Sequence, residues 1–248
     1  MLDGGVEGGY FHDPYCNDSN FRGFPLTSQE NLEAILEQAS GLAWRVGIHV
    51  VGDAAMVMAL DAFEATDARL SNGVRGHGPW NTPFRQCLVP WSGPGTPGLE
   101  LPCNTPWSTV WRATCEPTGA KVERRTSDCT PSRAWLDSGA VIGAGTDSPV
   151  ASHDPWLNVY GFATRDTKSA GIQGPQHRIS IAEALRCYTV GSAAILGQDK
   201  FLGSLEVGKA ADFICLDRDP LSASPEEVRA MVVRSTIVGG RRVFAAGD

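Results

Sequence analysis

The chain has 248 residues, a formal charge of −7 and 42% hydrophobic residues, ordinary proportions for a globular protein with one sizeable core. The acidic balance gives no general basis for nucleic-acid binding, no apolar run approaches the roughly 18 residues of a membrane span, and the opening residues lack the basic stretch and apolar core of a signal peptide. Seven cysteines without a Cys-x-x-Cys pair read as reduced thiols, so a cytoplasmic protein without a membrane partner is expected.

Residues 1–26 are rich in glycine and turn formers and read as an exposed loop, with Asp3, His12 and Asp13 as candidate site groups. Thr27 and Glu30 have capping-box spacing, and Leu32, Ile35, Leu36 and Ala39 recur at helical spacing, so a helix with one buried stripe is predicted up to Gly41. Trp44–Val51 reads as a strand with His49 near its end, and Gly52-Asp53 turns the chain into a second helix with Met56, Leu60 and Phe63 on one face. Asp53 is better placed to cap that helix than to bind a ligand. This helix–strand–helix rhythm is that of an α/β domain with parallel strands.

The rhythm fails between residues 71 and 131. This stretch holds nine of the sixteen prolines and four of the seven tryptophans, and no strand or helix of normal length is predicted in it. Such a length without elements sits poorly inside a compact domain. An ordered insertion, an excursion anchored by its tryptophans, and a disrupted or frameshifted segment all fit the residues.

Order returns with a short helix at Ser132–Ser138 carrying Ala134 and Trp135. The apolar run Ala140–Gly145 follows and ends at Asp147, with Pro149 after it. A carboxylate at the end of a buried parallel strand lies where α/β enzymes keep their chemistry, although Thr-Asp-Ser-Pro is also good turn chemistry. A helix is predicted from Asp154 to about Arg165 with Leu157, Tyr160 and Phe162 as packing groups, then a loop over 166–179. Ser180 and Glu183 form a second capping box, and Ala193–Leu196 a further helical piece stopped by Gly197. The tail is strand-rich. Phe213–Leu216, Met231–Val233, Thr236–Val238 and Arg242–Phe244 are predicted strands of an antiparallel or mixed sheet that needs a partner for its second face.

Four separated motifs now stand in order: Ile48-His49-Val50-Val51-Gly52-Asp53, Gly145-Thr146-Asp147-Ser148-Pro149, Ile181-Ala182-Glu183-Ala184-Leu185-Arg186-Cys187-Tyr188-Thr189, and Gly203-Ser204-Leu205-Glu206-Val207-Gly208-Lys209-Ala210-Ala211-Asp212. In these, and in Asp154-Pro155-Trp156 and Thr164-Arg165, the chain resembles the amidohydrolase superfamily, in its amidohydrolase-3 branch of metal-dependent hydrolases. Asp3-Gly4-Gly5 fits a further Asp-Gly motif of that branch. The resemblance covers about residues 27–65 and 131–248.

The resemblance implies a (β/α)8 barrel and hydrolysis of carbon–nitrogen bonds other than peptide bonds in a small amide-type substrate. It implies a divalent metal, zinc suiting imidazole and carboxylate. It makes His49 the metal ligand of the fifth barrel strand, and Asp147 the eighth-strand aspartate that touches metal and handles the proton of the attacking water. His77, in Arg75-Gly76-His77, stands at about the distance of the sixth-strand histidine, without the Glu-His pair usual there.

Other family ligands are missing from the sequence. No His-x-His occurs, and no lysine precedes Lys121 to serve as the bridging carboxylated lysine. The expected architecture is therefore α/β: a partial TIM-like barrel over residues 1–200, with 71–131 irregular, and a β-rich tail over 201–248 forming part of a composite β-sandwich. The alternative to a hydrolase is a catalytically inactive, truncated remnant or a binding or structural module. Half a barrel leaves edge strands open, so self-association is expected.

Overall fold

The computed structural model describes residues 1–4, 8–15, 18–44, 46–73, 86–89, 99–104, 130–149, 151–167 and 171–247. Four strands make the central sheet: β1 (Gly47–His49), β2 (Gln86–Val89), β3 (Leu99–Asn104) and β4 (Val141–Gly145). They lie side by side in sequence order and every pair is parallel, with Gly47 opposite Cys87, Gln86 opposite Leu99 and Glu100 opposite Val141. Parallel neighbours place all four C-terminal ends on one edge. Among the described residues the sheet is open and no barrel closes.

Two of these strands fall in the stretch where no strand of normal length is predicted. β2 has four residues and β3 carries Pro102, which lacks an amide hydrogen and argues against a central strand from sequence alone. Their pairing comes from their long-range neighbours, which local periodicity does not encode.

Two helices flank the first strand. α1 (Gln29–Gly41) and α2 (Asp53–Gly73) pack on each other. The cap of α1 is Ser28 rather than Thr27: its hydroxyl accepts from the Asn31 amide at 3.2 Å. Leu32, Leu36 and Ala39 are buried as predicted, but Ile35 is 53% exposed at the flank of the stripe. The strand predicted at 44–51 shrinks to β1 because Leu42, Ala43 and Trp44 close the end of α1. The Trp44 amide donates to Ala39 O at 2.9 Å, and its side chain stays exposed. On α2, Met56 and Phe63 are buried and Leu60 packs against them.

Beyond the sheet, α3 (Ser132–Asp137) buries Trp135 and leaves Ala134 exposed. The next helix, α4 (Pro155–Thr164), is capped by Asp154, which accepts from the Trp156 amide at 2.9 Å. It buries Trp156, Asn158, Val159 and Phe162; full burial of an apolar side chain of this size stabilises by about 1.5–3 kcal/mol. The predicted loop after it contains a two-residue hairpin, β5 (Asp166–Thr167) with β6 (Gly171–Ile172).

Then comes one continuous helical segment where two pieces are predicted. α5 (Ile181–Arg186) runs through a π turn at Cys187–Gly191 into α6 (Ser192–Ile195). Its start is the predicted capping box, with Ser180 Oγ accepting from Glu183 N at 3.2 Å and Glu183 Oε2 from Ser180 N at 2.8 Å. The π turn lies against β4 so closely that a Cβ on Gly191 would stand 1.9 Å from the Ile142 carbonyl oxygen.

The tail forms a separate antiparallel sheet of β7 (Phe213–Leu216), β8 (Val233–Val238) and β9 (Arg241–Ala245), with α7 (Pro225–Arg229) between β7 and β8. The two strands predicted over 231–238 are one. Met231 is buried and bonds back to Val228 O, and the Val232 amide is held by Asp217 Oδ1 at 2.9 Å, so β8 begins only at Val233. Phe213, Ile214, Val238, Val243 and Phe244 of this sheet are exposed.

Candidate active site

His49 is the last residue of β1, and Asp147 follows the last residue of β4 by two positions. The two predicted site residues thus lie at the same end of the sheet, on its two outer strands, with β2 and β3 between them. Along a flat sheet these strands would stand about 14 Å apart, so curvature is needed before both side chains could touch one ion. His77 lies outside the described residues.

The His49 ring has an unpaired polar atom. Nδ1 is buried and makes no hydrogen bond. Leaving such an atom unsatisfied costs about 1–3 kcal/mol, and no protein group fixes the ring through that nitrogen. The backbone around it is tied firmly. Leu2 N donates to His49 O at 2.9 Å, extending the hydrogen-bonding along the free edge of β1.

Asp147 differs in every respect. It is exposed, with φ at 57°, a left-handed conformation that aspartate tolerates better than most residues. Its carbonyl oxygen accepts from Ala151 N at 3.3 Å. Among the described residues its carboxylate accepts no hydrogen bond, so the local amides predicted as its alternative partners do not engage it. Its backbone thus closes a turn after β4, while its exposed carboxylate remains open.

A polar scaffold stands behind the end of β4. Asn158, 2% exposed, donates through Nδ2 to Gly145 O at 2.9 Å and to the Tyr188 hydroxyl at 2.7 Å. Ser192 Oγ lies 3.3 Å from both Ala144 N and Ala144 O, and donates to Cys187 O at 2.8 Å. Periodicity gave no sign of Asn158, because a buried amide on a helix face looks like a polar interruption of the stripe. Cys187 sits in the same core. Burial pushes its thiol up to about 11, so it is not a nucleophile at neutral pH.

Asp3 corrects the expectation of an exposed opening loop. Its residue is fully buried, as are Leu2 and Phe11. Its carboxylate accepts from Val51 N at 2.9 Å, Gly52 N at 2.7 Å and Tyr10 N at 3.0 Å. Asp53 is the first residue of α2 rather than its predicted cap; its Oδ1 accepts from Ala54 N at 2.9 Å and from His12 N at 2.9 Å. His12 is exposed.

The residues at hand supply part of a metal site. A zinc ion that keeps an open position takes three protein ligands. Imidazole and carboxylate are suitable donors, but among the described residues no three His, Cys, Asp or Glu side chains gather in a metal-holding group. His49 and Asp147 do not make a complete site by themselves. No helix among the described residues is long and apolar enough to cross a membrane.

Comparison with known proteins gives the arrangement a context. The sequence model described as the amidohydrolase family matches residues 2–244. The chain is 27% identical over 219 residues to an N-substituted formamide deformylase of Arthrobacter pascens, covering 86% of this chain and 39% of that protein. It is 28% identical over 248 residues to the protein LONG AFTER FAR-RED 3 of Arabidopsis thaliana, covering 98% and 42%. Among solved structures, a metal-dependent hydrolase of Pyrococcus horikoshii superposes with a TM-score of 0.72 at 27% identity, covering 91% of this chain and 45% of that one. The chain thus spans about two fifths of the length of the curated relatives it matches.

Proposed function

The chain belongs to the amidohydrolase family, and from that premise we propose that it carries strands five to eight of a metal-dependent hydrolase acting on carbon–nitrogen bonds other than peptide bonds. The observation that supports this most is the strand order. A fifth-strand histidine and an eighth-strand aspartate need two parallel strands between them and a common C-terminal rim. β1 through β4 supply both features. Catalytic groups of such barrels lie on that rim, and closure of eight strands brings the fifth and eighth across from one another. On this reading residues 1–200 are the barrel part, with Leu2 marking the edge where a fourth strand joins β1, and 201–248 belong to a composite β-sandwich.

In the proposed reaction His49 offers a neutral ring nitrogen to a divalent ion, zinc by its donor type, and Asp147 accepts the proton of the attacking water. The substrate class is a small amide. It is motivated by the deformylase relative, which acts on N-substituted formamides. The complete ligand set requires donors beyond His49 and Asp147. The test is hydrolysis of N-substituted formamides by the zinc-supplemented protein. Turnover that disappears in Asp147→Asn supports the reading, and equal rates in both proteins would oppose it.

A further inference from the structure

We propose that Asp3 is the positioning residue of His49: a buried carboxylate that sets the aim of the imidazole by clasping the backbone on its C-terminal side. The inference rests on the reading of His49 as a rim ligand. A metal-binding histidine is normally oriented by a hydrogen bond from its second ring nitrogen to a carboxylate or carbonyl. In His49 the buried Nδ1 has no such partner. The ring direction must then come from the backbone, and the opening segment holds that backbone from His49 to Gly52.

Leu2 N binds His49 O at 2.9 Å, and Asp3 takes the amides of Val51 at 2.9 Å and Gly52 at 2.7 Å. The third amide on the carboxylate, Tyr10 N at 3.0 Å, returns the segment to the same place. Tyr10 O then accepts from Ala55 N at 3.1 Å. Three amide dipoles converging on one carboxylate compensate its burial charge as backbone nests do for anions. The fit extends to Gly52, where a Cβ would stand 1.8 Å from Tyr10 O. A carboxylate is required for this pattern. Both its oxygens accept, one from Val51 N and the other from Gly52 N and Tyr10 N, whereas an asparagine of the same size would turn its NH2 group towards at least one of these donors.

The experiment is nitrogen-detected NMR of the imidazole rings and amide exchange on the zinc-free protein, comparing the parent chain with Asp3→Asn, and with Asp53→Asn as a control on the other side of the turn. The clasp predicts that Tyr10, Val51 and Gly52 amides of the parent exchange slowly. It predicts that Asp3→Asn shifts and broadens the His49 ring signals while those of His153 and His177 stay in place, and that Asp53→Asn leaves His49 unchanged. Zinc added to the same samples should bind about ten-fold more weakly to Asp3→Asn. Unchanged His49 ring signals in a folded Asp3→Asn protein would overturn the proposal. Where that variant does not fold, fast exchange of the Val51 and Gly52 amides in the parent would overturn it equally. Failure of the parent to bind zinc would count against the hydrolase reading alone, since the ring signals decide the clasp without metal.

Discussion

Asn158 is the residue whose loss should most clearly expose how the end of β4 is held. Its Nδ2 group serves Gly145 O at 2.9 Å and the Tyr188 hydroxyl at 2.7 Å from a 2% exposed position. In Asn158→Ala the Gly145 carbonyl loses its side-chain donor, which costs about 1–2 kcal/mol for a half-buried group. Tyr188 has other interactions, so its share is smaller, about 0.5–1 kcal/mol. The expected total is about 1.5–3 kcal/mol, a large part of the 5–15 kcal/mol typical of a domain. Tyr188→Phe should cost about 1 kcal/mol, and the double variant should show a coupling of about 0.5–1 kcal/mol because the two groups share one bond. Urea unfolding followed by far-ultraviolet circular dichroism and tryptophan fluorescence gives all three values. A cost below about 0.5 kcal/mol for Asn158→Ala would show that the β4 end does not depend on this amide.

Three further outcomes are expected. Gly191→Ala places a Cβ 1.9 Å from Ile142 O, and the resulting displacement of the π turn from β4 should destabilise by about 1–3 kcal/mol or more in the same unfolding assay. Glu183 is held below the ordinary carboxylate range, first by the Ser180 amide and then by Arg133. Its charge therefore stabilises above its unfolded value of 4.5, and that contribution is lost as pH falls through the lower folded value. Glu183→Gln should accordingly cost at most about 1 kcal/mol at pH 7, because the pair is partly exposed, and progressively less as the pH falls below 4.5. The exposed Ile214, Val243 and Phe244 of the tail sheet should drive concentration-dependent association in sedimentation. Phe244→Glu should reduce it, while a monomer at all concentrations would contradict this expectation.

Local patterns predicted the parts of the fold that local chemistry decides. Ser180 and Glu183 form the capping box as their spacing requires, Asp154 caps α4, and Leu32, Leu36 and Ala39 face inward. The structure departs from local pattern where neighbours compete or distant partners decide. Ser28 displaced Thr27 as a cap because either hydroxyl can serve and the register of the buried stripe chooses. β2 and β3 are not legible in the sequence because four or six residues, one of them Pro102, carry no period of their own, and only parallel neighbours make them strands. The strand-end positions of His49 and Asp147 were legible from short apolar runs stopped by Gly and Pro. Asp3 was not, since a glycine-rich opening gives no indication of burial, and its role depends on amides almost fifty residues away.

The central claim is that His49 and Asp147 act on one ion from the common rim of the parallel sheet. Zinc titration calorimetry of the parent chain, His49→Ala, Asp147→Asn and His77→Ala tests it most directly. The account predicts zinc binding by the parent and by His77→Ala, and its loss or marked weakening in His49→Ala and Asp147→Asn. Equal zinc binding by all four proteins would contradict it.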